Sequence, residues 1–173
     1  MTGPFQVVGP FKFDRNKVHE REYRNCWWDE RDNSDTGISH AKGVYLISIR
    51  NKKNYVPQYV GITKKQSFRK EVFRDGNLRM ISHDFRNLRG SCQLHLIVKP
   101  KSLHEGFSVN ISSKALQWLE QSILFSCLTK NPDMQNKSHR VFLRSVDIGG
   151  VTGESVRGKK PTEVVTFMNA LGH

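Results

Sequence analysis

The chain has no long hydrophobic run, few cysteines and a deficit of acidic side chains, and each shortage excludes something. No stretch of its 173 residues approaches the roughly 18 consecutive apolar residues that a membrane-spanning helix needs. Residues Met1 to Gly9 show no charged start followed by an apolar core, which excludes a secretory signal and leads us to expect a cytoplasmic location. The three cysteines, Cys26, Cys92 and Cys127, are odd in number, far apart and without a neighbouring Cys or His at zinc-ligand spacing. A structural zinc site and a disulfide framework both drop out, and each cysteine is expected to be a small buried hydrophobe. Apolar residues make up only 36% of the chain, but ten Phe, four Tyr and three Trp supply core material, so the chain reads as one folded domain rather than as a disordered segment.

What is abundant is positive charge. Sixteen acidic against 28 basic residues give a formal net charge of +12. Residues 1 to 42 hold seven of each sign, so the whole surplus lies in the remaining 131 residues, 21 basic against nine acidic. Such a surplus attracts polyanions through counterion release and long-range steering, which makes a nucleic acid the leading partner. A solubility role, or a patch for an acidic protein, is the bland alternative, and composition does not separate DNA from RNA.

Three segments follow from the patterning: an extension over 1–42 that packs on the core through Trp27 and Trp28, a core over 43–140, and a C-terminal extension over 141–173. Val44, Tyr45, Leu46, Ile47 and Ile49 predict a buried strand, Asn51 to Asn54 a polar turn, and Gln58, Tyr59, Val60 and Ile62 a returning strand with Pro57 at its entrance. Phe68, Val72 and Phe73 predict a short helix stopping at Gly76, and Leu78, Ile81, Phe85 and Leu88 a second one ending at Gly90. Between Lys64 and Arg89 the outward positions Lys64, Lys65, Arg69, Lys70, Arg74, Arg79, Arg86 and Arg89 face only Glu71, Asp75 and Asp84, an excess unlike a mixed, ion-paired surface. These cations are candidate phosphate contacts. Cys92 to Val98 predicts a third strand, and Ser112 to Lys130 a long helix halted by Asn131-Pro132. Beyond Val141, the glycine-bearing loop with Arg157, Lys159 and Lys160 suits either phosphate contact or a solvated linker, and Thr162 to Leu171 predicts a last short helix. The expected fold is α/β, a small, largely antiparallel three-stranded sheet flanked by helices.

One residue interrupts the apolar face of the long helix. Glu120 lies four residues after Leu116 and four before Leu124, on or beside the buried stripe. A buried carboxylate without a partner is costly, so Glu120 either has a cation, a donor or a metal waiting for it or reaches water at the edge of the stripe.

Gly43-Val44-Tyr45 and Tyr59-Val60-Gly61 together resemble the paired signature of the GIY-YIG nuclease family. Arg69 follows Gly61 by eight residues in the first helix, Glu120 lies in the long helix after the third strand, and Asn136 follows sixteen residues later, which is the family's order. The resemblance spans about 94 residues, Gly43 to Asn136. Val44 and Val60 stand where the family's name has isoleucine, and thirteen residues separate the two tyrosines, so an extended hairpin turn is expected.

The resemblance implies a divalent-metal-dependent endonuclease acting on DNA, with Mg²⁺ or Mn²⁺ as cofactor, double-stranded DNA favoured over RNA, and no membrane partner. The residue chemistry agrees. Hydrolysis of a phosphodiester needs a base for water, cations for the phosphate oxygens and help for the leaving oxygen. Tyr45 is the candidate proton acceptor, Tyr59 would position water or phosphate, and Arg69 supplies a planar cation for two phosphate oxygens. Glu120 would hold a hard divalent ion, of which Mg²⁺ commonly takes only one or two carboxylates. Asn136 enters as an orienting residue on resemblance alone. His83, fourteen residues after Arg69, occupies the region where some family members carry an extra His or Lys, and is a candidate base or phosphate contact; His40 is a weaker one. With a single site per chain, double-strand cleavage needs a homodimer or sequential nicks. A non-catalytic nucleic-acid-binding domain on the same scaffold is the alternative, and a basic protein of a ribonucleoprotein complex is a third.

Overall fold

A computed structural model of the chain describes residues 5–34, 37–101 and 105–136, together with Thr162 and Thr166. It divides into two compact units, Met1–Gln135 and Asn136–His173. The first carries β1 (Gln6–Phe13), α1 (Arg21–Ser34), a 3₁₀ turn (Ile38–His40), β2 (Gly43–Asn51), β3 (Asn54–Ile62), α2 (Phe68–Glu71), α3 (Asp75–His83), β4 (Ser91–Val98) and α4 (Ser113–Lys130). In the second unit Asn136, Thr162 and Thr166 are described, and the Thr166 hydroxyl donates to the Thr162 carbonyl at 2.8 Å. The predicted C-terminal helix otherwise lies outside the described residues, as does the loop with Arg157, Lys159 and Lys160.

The fold is α/β, but the sheet has four strands rather than three, in the order β1-β4-β2-β3, with every neighbouring pair antiparallel. The additional strand comes from the N-terminal stretch. Gly9-Pro10 interrupts its apolar pattern, and the register against β4 shifts between Val8 and Phe11. An edge strand tolerates such a proline because one side of its backbone has no ladder to complete. The same reasoning moves Pro57 from the strand entrance to the middle of β3, the opposite edge, where it faces Ser48 beside a second register shift.

The β2–β3 turn is not extended. Asn51 pairs with Asn54 across a two-residue turn, Lys52-Lys53, with Lys52 at φ +54°. The long spacing between the tyrosines is absorbed by nine-residue strands and the bulge at Ile47/Ser48.

One face of the sheet presents Phe13, Tyr45, Ile47, Ile49, Cys92, Leu94, Leu96 and Val98 to a core closed by Trp27 and Trp28 of α1 and by Phe68, Val72, Phe73, Leu78, Ile81 and Phe85. The rings meet edge to face, Trp27 lying 4.9 Å from Trp28 and 5.5 Å from Phe73, a favoured arrangement for aromatic pairs. Alternation sends Val44, Val60 and Ile97 to the other face, where they are also buried. Against β3 and β2 packs α4, with Leu116 and Leu124 buried. Of the cysteines, Cys92 is buried and Cys127 partly so, whereas Cys26 is exposed, because α1 turns its tryptophan pair and Tyr23 inward.

The helices after β3 break differently from the expected pattern. Gly76 sits inside α3 rather than ending a helix, and α2 stops after four residues. Its termination has a cause: the Asn77 side-chain amide donates to the carbonyls of Glu71 and Val72, each at 3.0 Å, replacing the bonds that a continued helix would make. Similarly α3 ends at His83, and the Arg15 guanidinium takes up the carbonyls of Phe85, Leu88 and Gly90 beyond it.

Candidate active site

The two signature tripeptides lie side by side because β2 and β3 are paired, with Tyr45 directly opposite Gly61. Both glycines answer to close approach. A Cβ on Gly61 would stand 2.4 Å from Tyr45 Cζ and 2.5 Å from its Oη, and one on Gly43 would stand 2.0 Å from the Ile97 carbonyl oxygen. The tyrosine ring occupies the space that a side chain at Gly61 would need. Thr63 secures the end of the hairpin, its hydroxyl accepting from Gly43 N at 2.8 Å and lying 3.2 Å from the Gly43 carbonyl.

Tyr45 is fully buried and its ring centroid lies 6.0 Å from that of the partly exposed Tyr59. Asn77 Nδ2 donates to Tyr45 Oη at 2.8 Å. Tyr45 therefore acts as acceptor toward Asn77 and has its own proton to give to Tyr59, a hydrogen bond that favours the Tyr59 phenolate. Burial holds both hydroxyls above the ordinary tyrosine value, Tyr45 well above it. For Tyr45 the neighbouring Tyr59 adds to the rise. For Tyr59 the opposing influences are the Arg74 guanidinium and the Tyr45 hydrogen bond, while Glu120 and Glu71 push it up. Tyr45, expected as the proton acceptor, is thus the more deeply buried and the more strongly raised of the pair.

The expected residues do not all gather here. Glu120 does, since α4 packs along β3 and the carboxylate acts on Tyr59; it is half-buried. Arg69 does not. Its Nη1 donates to Asp29 Oδ1 at 2.7 Å and its Nη2 to Asn25 Oδ1 at 3.3 Å, both on α1. This reach of 40 residues along the chain had no signal in the sequence around Arg69. Arg74 instead acts on both tyrosines, and its Nε lies 3.2 Å from Glu71 Oε1. Arg74, expected as one of several phosphate contacts, thereby joins the site, together with Glu71 and Asn77, for which the sequence offered no functional reading.

His83 is exposed in the last turn of α3, and His40 is exposed in the 3₁₀ turn. Asn136 is buried and belongs to the second unit. Lys64, Lys65, Lys70, Arg74, Arg79, Arg86 and Arg89 are all exposed, on α2, α3 and the adjoining loops. Among the described residues no group of three or more His, Cys, Asp or Glu side chains forms a metal cluster, and no helix is long and apolar enough to cross a membrane. No family model, no curated protein and no solved structure matches the chain.

Proposed function

We propose that the protein is a divalent-metal-dependent endonuclease of the GIY-YIG type that hydrolyses phosphodiester bonds in DNA. One observation carries the reading: a hydrogen-bonded tyrosine pair, acted on by one guanidinium and two carboxylates, sits where the two signature tripeptides meet in a strongly basic chain.

The donor set fits Mg²⁺ or Mn²⁺. Glu120 and the Tyr59 hydroxyl are hard oxygen donors, and an ion of this kind is commonly held by one or two carboxylates with water and phosphate completing the shell. Glu120 is the protein ligand in this reading. When bound, the ion supplies positive charge that favours ionised oxygens and offsets charge growing on the phosphate.

The chain's own residues account for the remainder. Tyr59, as phenolate, takes the proton of the attacking water. The water oxygen bonds to phosphorus, the bond from phosphorus to one bridging ester oxygen breaks, and the leaving oxygen is protonated from solvent. Tyr45 holds Tyr59 through its hydroxyl, and Asn77 holds Tyr45. The exposed cations on α2, α3 and the adjoining loops follow the phosphate backbone, and the charge surplus favours a polyanion, which the family resemblance makes duplex DNA. Double-strand cutting requires a second copy or two successive nicks.

Supercoiled plasmid incubated with the protein and Mg²⁺ should become nicked and then linear, with no cutting in EDTA and none by Glu120→Ala. If both proteins retard the plasmid and neither cuts it, the protein is the non-catalytic DNA-binding domain instead.

A further inference from the structure

The family resemblance assigns the phosphate-holding cation to Arg69, and the geometry points elsewhere. Arg69 is spent on α1: two of its nitrogens are committed to Asp29 and Asn25, and its side chain is only 28% exposed. Arg74 is held the other way round. Its Nε side rests on Glu71, a carboxylate only 14% exposed, while the Arg74 side chain is 56% exposed. Among the described residues its two Nη groups have no protein acceptor, so the planar fork is left open.

The backbone fixes this arrangement relative to the tyrosines. A single amide, Asn77 Nδ2, contacts the carbonyls of Glu71 and Val72 and the Tyr45 hydroxyl, all within 3.0 Å. The junction between α2 and α3, from Glu71 to Asn77, is therefore fastened to the tyrosine pair, and Arg74 lies within that fastened segment. A cation whose mounting is tied to Tyr45, the neighbour of the base Tyr59, is pre-organised for an oxyanion beside that pair, and such groups contribute most to the rate.

Resting on the nuclease reading, we infer that Arg74, and not Arg69, is the guanidinium that holds the phosphate being cleaved, with Glu71 as the positioning residue that orients it. Nε lies in ion-pair reach of Glu71 and the Nη pair takes two non-bridging phosphate oxygens, the paired geometry that Arg alone offers. Lysine cannot reproduce it.

The test compares Arg74→Ala, Arg74→Lys, Glu71→Gln and Arg69→Ala in two assays on the full chain. In Mg²⁺, single-turnover cleavage of a duplex should fall about 100-fold or more for both Arg74 variants, as for loss of one transition-state donor, and by under about 10-fold for Arg69→Ala. Glu71→Gln should lower the cleavage rate while leaving affinity close to the parent's. In EDTA, the slope of log affinity against log salt for the same duplex should become shallower by about 1 for Arg74→Ala and stay at the parental value for Arg69→Ala. Arg74 is exposed, so its variants should fold, which circular dichroism checks. If Arg69→Ala carries the larger loss in rate and changes the salt slope, the inference is overturned. If the parent does not cut but Arg74→Ala alone changes the slope, the phosphate contact stands and the nuclease reading fails.

Discussion

Gly61→Ala provides a sharp test of how the signature is built. The added Cβ would meet Tyr45 Cζ at 2.4 Å, Oη at 2.5 Å and Cε1 at 2.8 Å, whereas unstrained carbon contacts lie near 3.5–4.0 Å. The ring must retreat by about 1 Å. It has little room, because Tyr45 is fully buried, packs edge to face on Phe68 at 6.5 Å, and is held by Asn77. Overpacking of a filled core costs about 1–3 kcal/mol. Weakening the Asn77 hydrogen bond adds about 1 kcal/mol, for a total of roughly 2–4 kcal/mol. For a chain of this size that corresponds to a fall in Tm of about 4–16 °C. Gly76→Ala is the internal control: nothing lies within 4 Å of the new Cβ, and Gly76 is in α3, so the change should raise stability by about 0.5–1 kcal/mol. Urea unfolding of the parent and both variants measures the difference. If Gly61→Ala lies within about 0.5 kcal/mol of the parent, as a neutral surface change would, Tyr45 does not occupy the position described and the tyrosine pair loses its physical basis.

Asn77→Ala removes a donor shared by Tyr45 and two backbone carbonyls and should cost about 1–3 kcal/mol in urea unfolding, with a matching loss of cleavage. Asp29→Ala breaks an ion pair whose carboxylate is largely exposed, so stability should change by less than about 1 kcal/mol. Burial holds His95 below its ordinary value, so its contribution is complete above pH 6.5 and is lost as pH falls below it. Urea midpoints should therefore decline from pH 7.5 to 5.5 and decline less in His95→Gln. At the alkaline end the buried Cys92 thiol is pushed up to about 11, and Tyr45 and Tyr59 are raised as well. These groups stabilise the fold fully below their unfolded values, and that stability is lost as pH rises past about 9 for the thiol and about 10 for the phenols, readable in the same assay.

Local chemistry made much of this molecule legible from its residues. The β2–β3 hairpin, β4 and α4 follow from apolar patterning with turn and stop signals, and Gly43 and Gly61 sit in the signature because neighbouring atoms leave no space for a side chain. What escaped depends on distant partners. In β1 the apolar pattern is broken by Gly9-Pro10, and the segment becomes a strand only by pairing with β4, some 80 residues away. Half of α1 is charged, and its tryptophan pair is the sequence signal of its packing. Arg69 reads as a free cation until Asp29 and Asn25 are brought to it, and Arg74 reads as one more surface cation until Asn77 ties its segment to Tyr45. Sequence order correctly suggested a strand-and-helix scaffold; which of several basic residues faces the tyrosines is decided by hydrogen bonds that span elements.

Tyr59 is the proposed proton acceptor of a metal-dependent cleavage, and Tyr59→Phe tests that role most directly. Single-turnover cleavage of a labelled duplex in Mg²⁺ should fall by at least about 100-fold, the usual weight of a general base, while affinity for the same duplex in EDTA stays within about twofold of the parent. A Tyr59→Phe protein that cuts at the parental rate would contradict the mechanism.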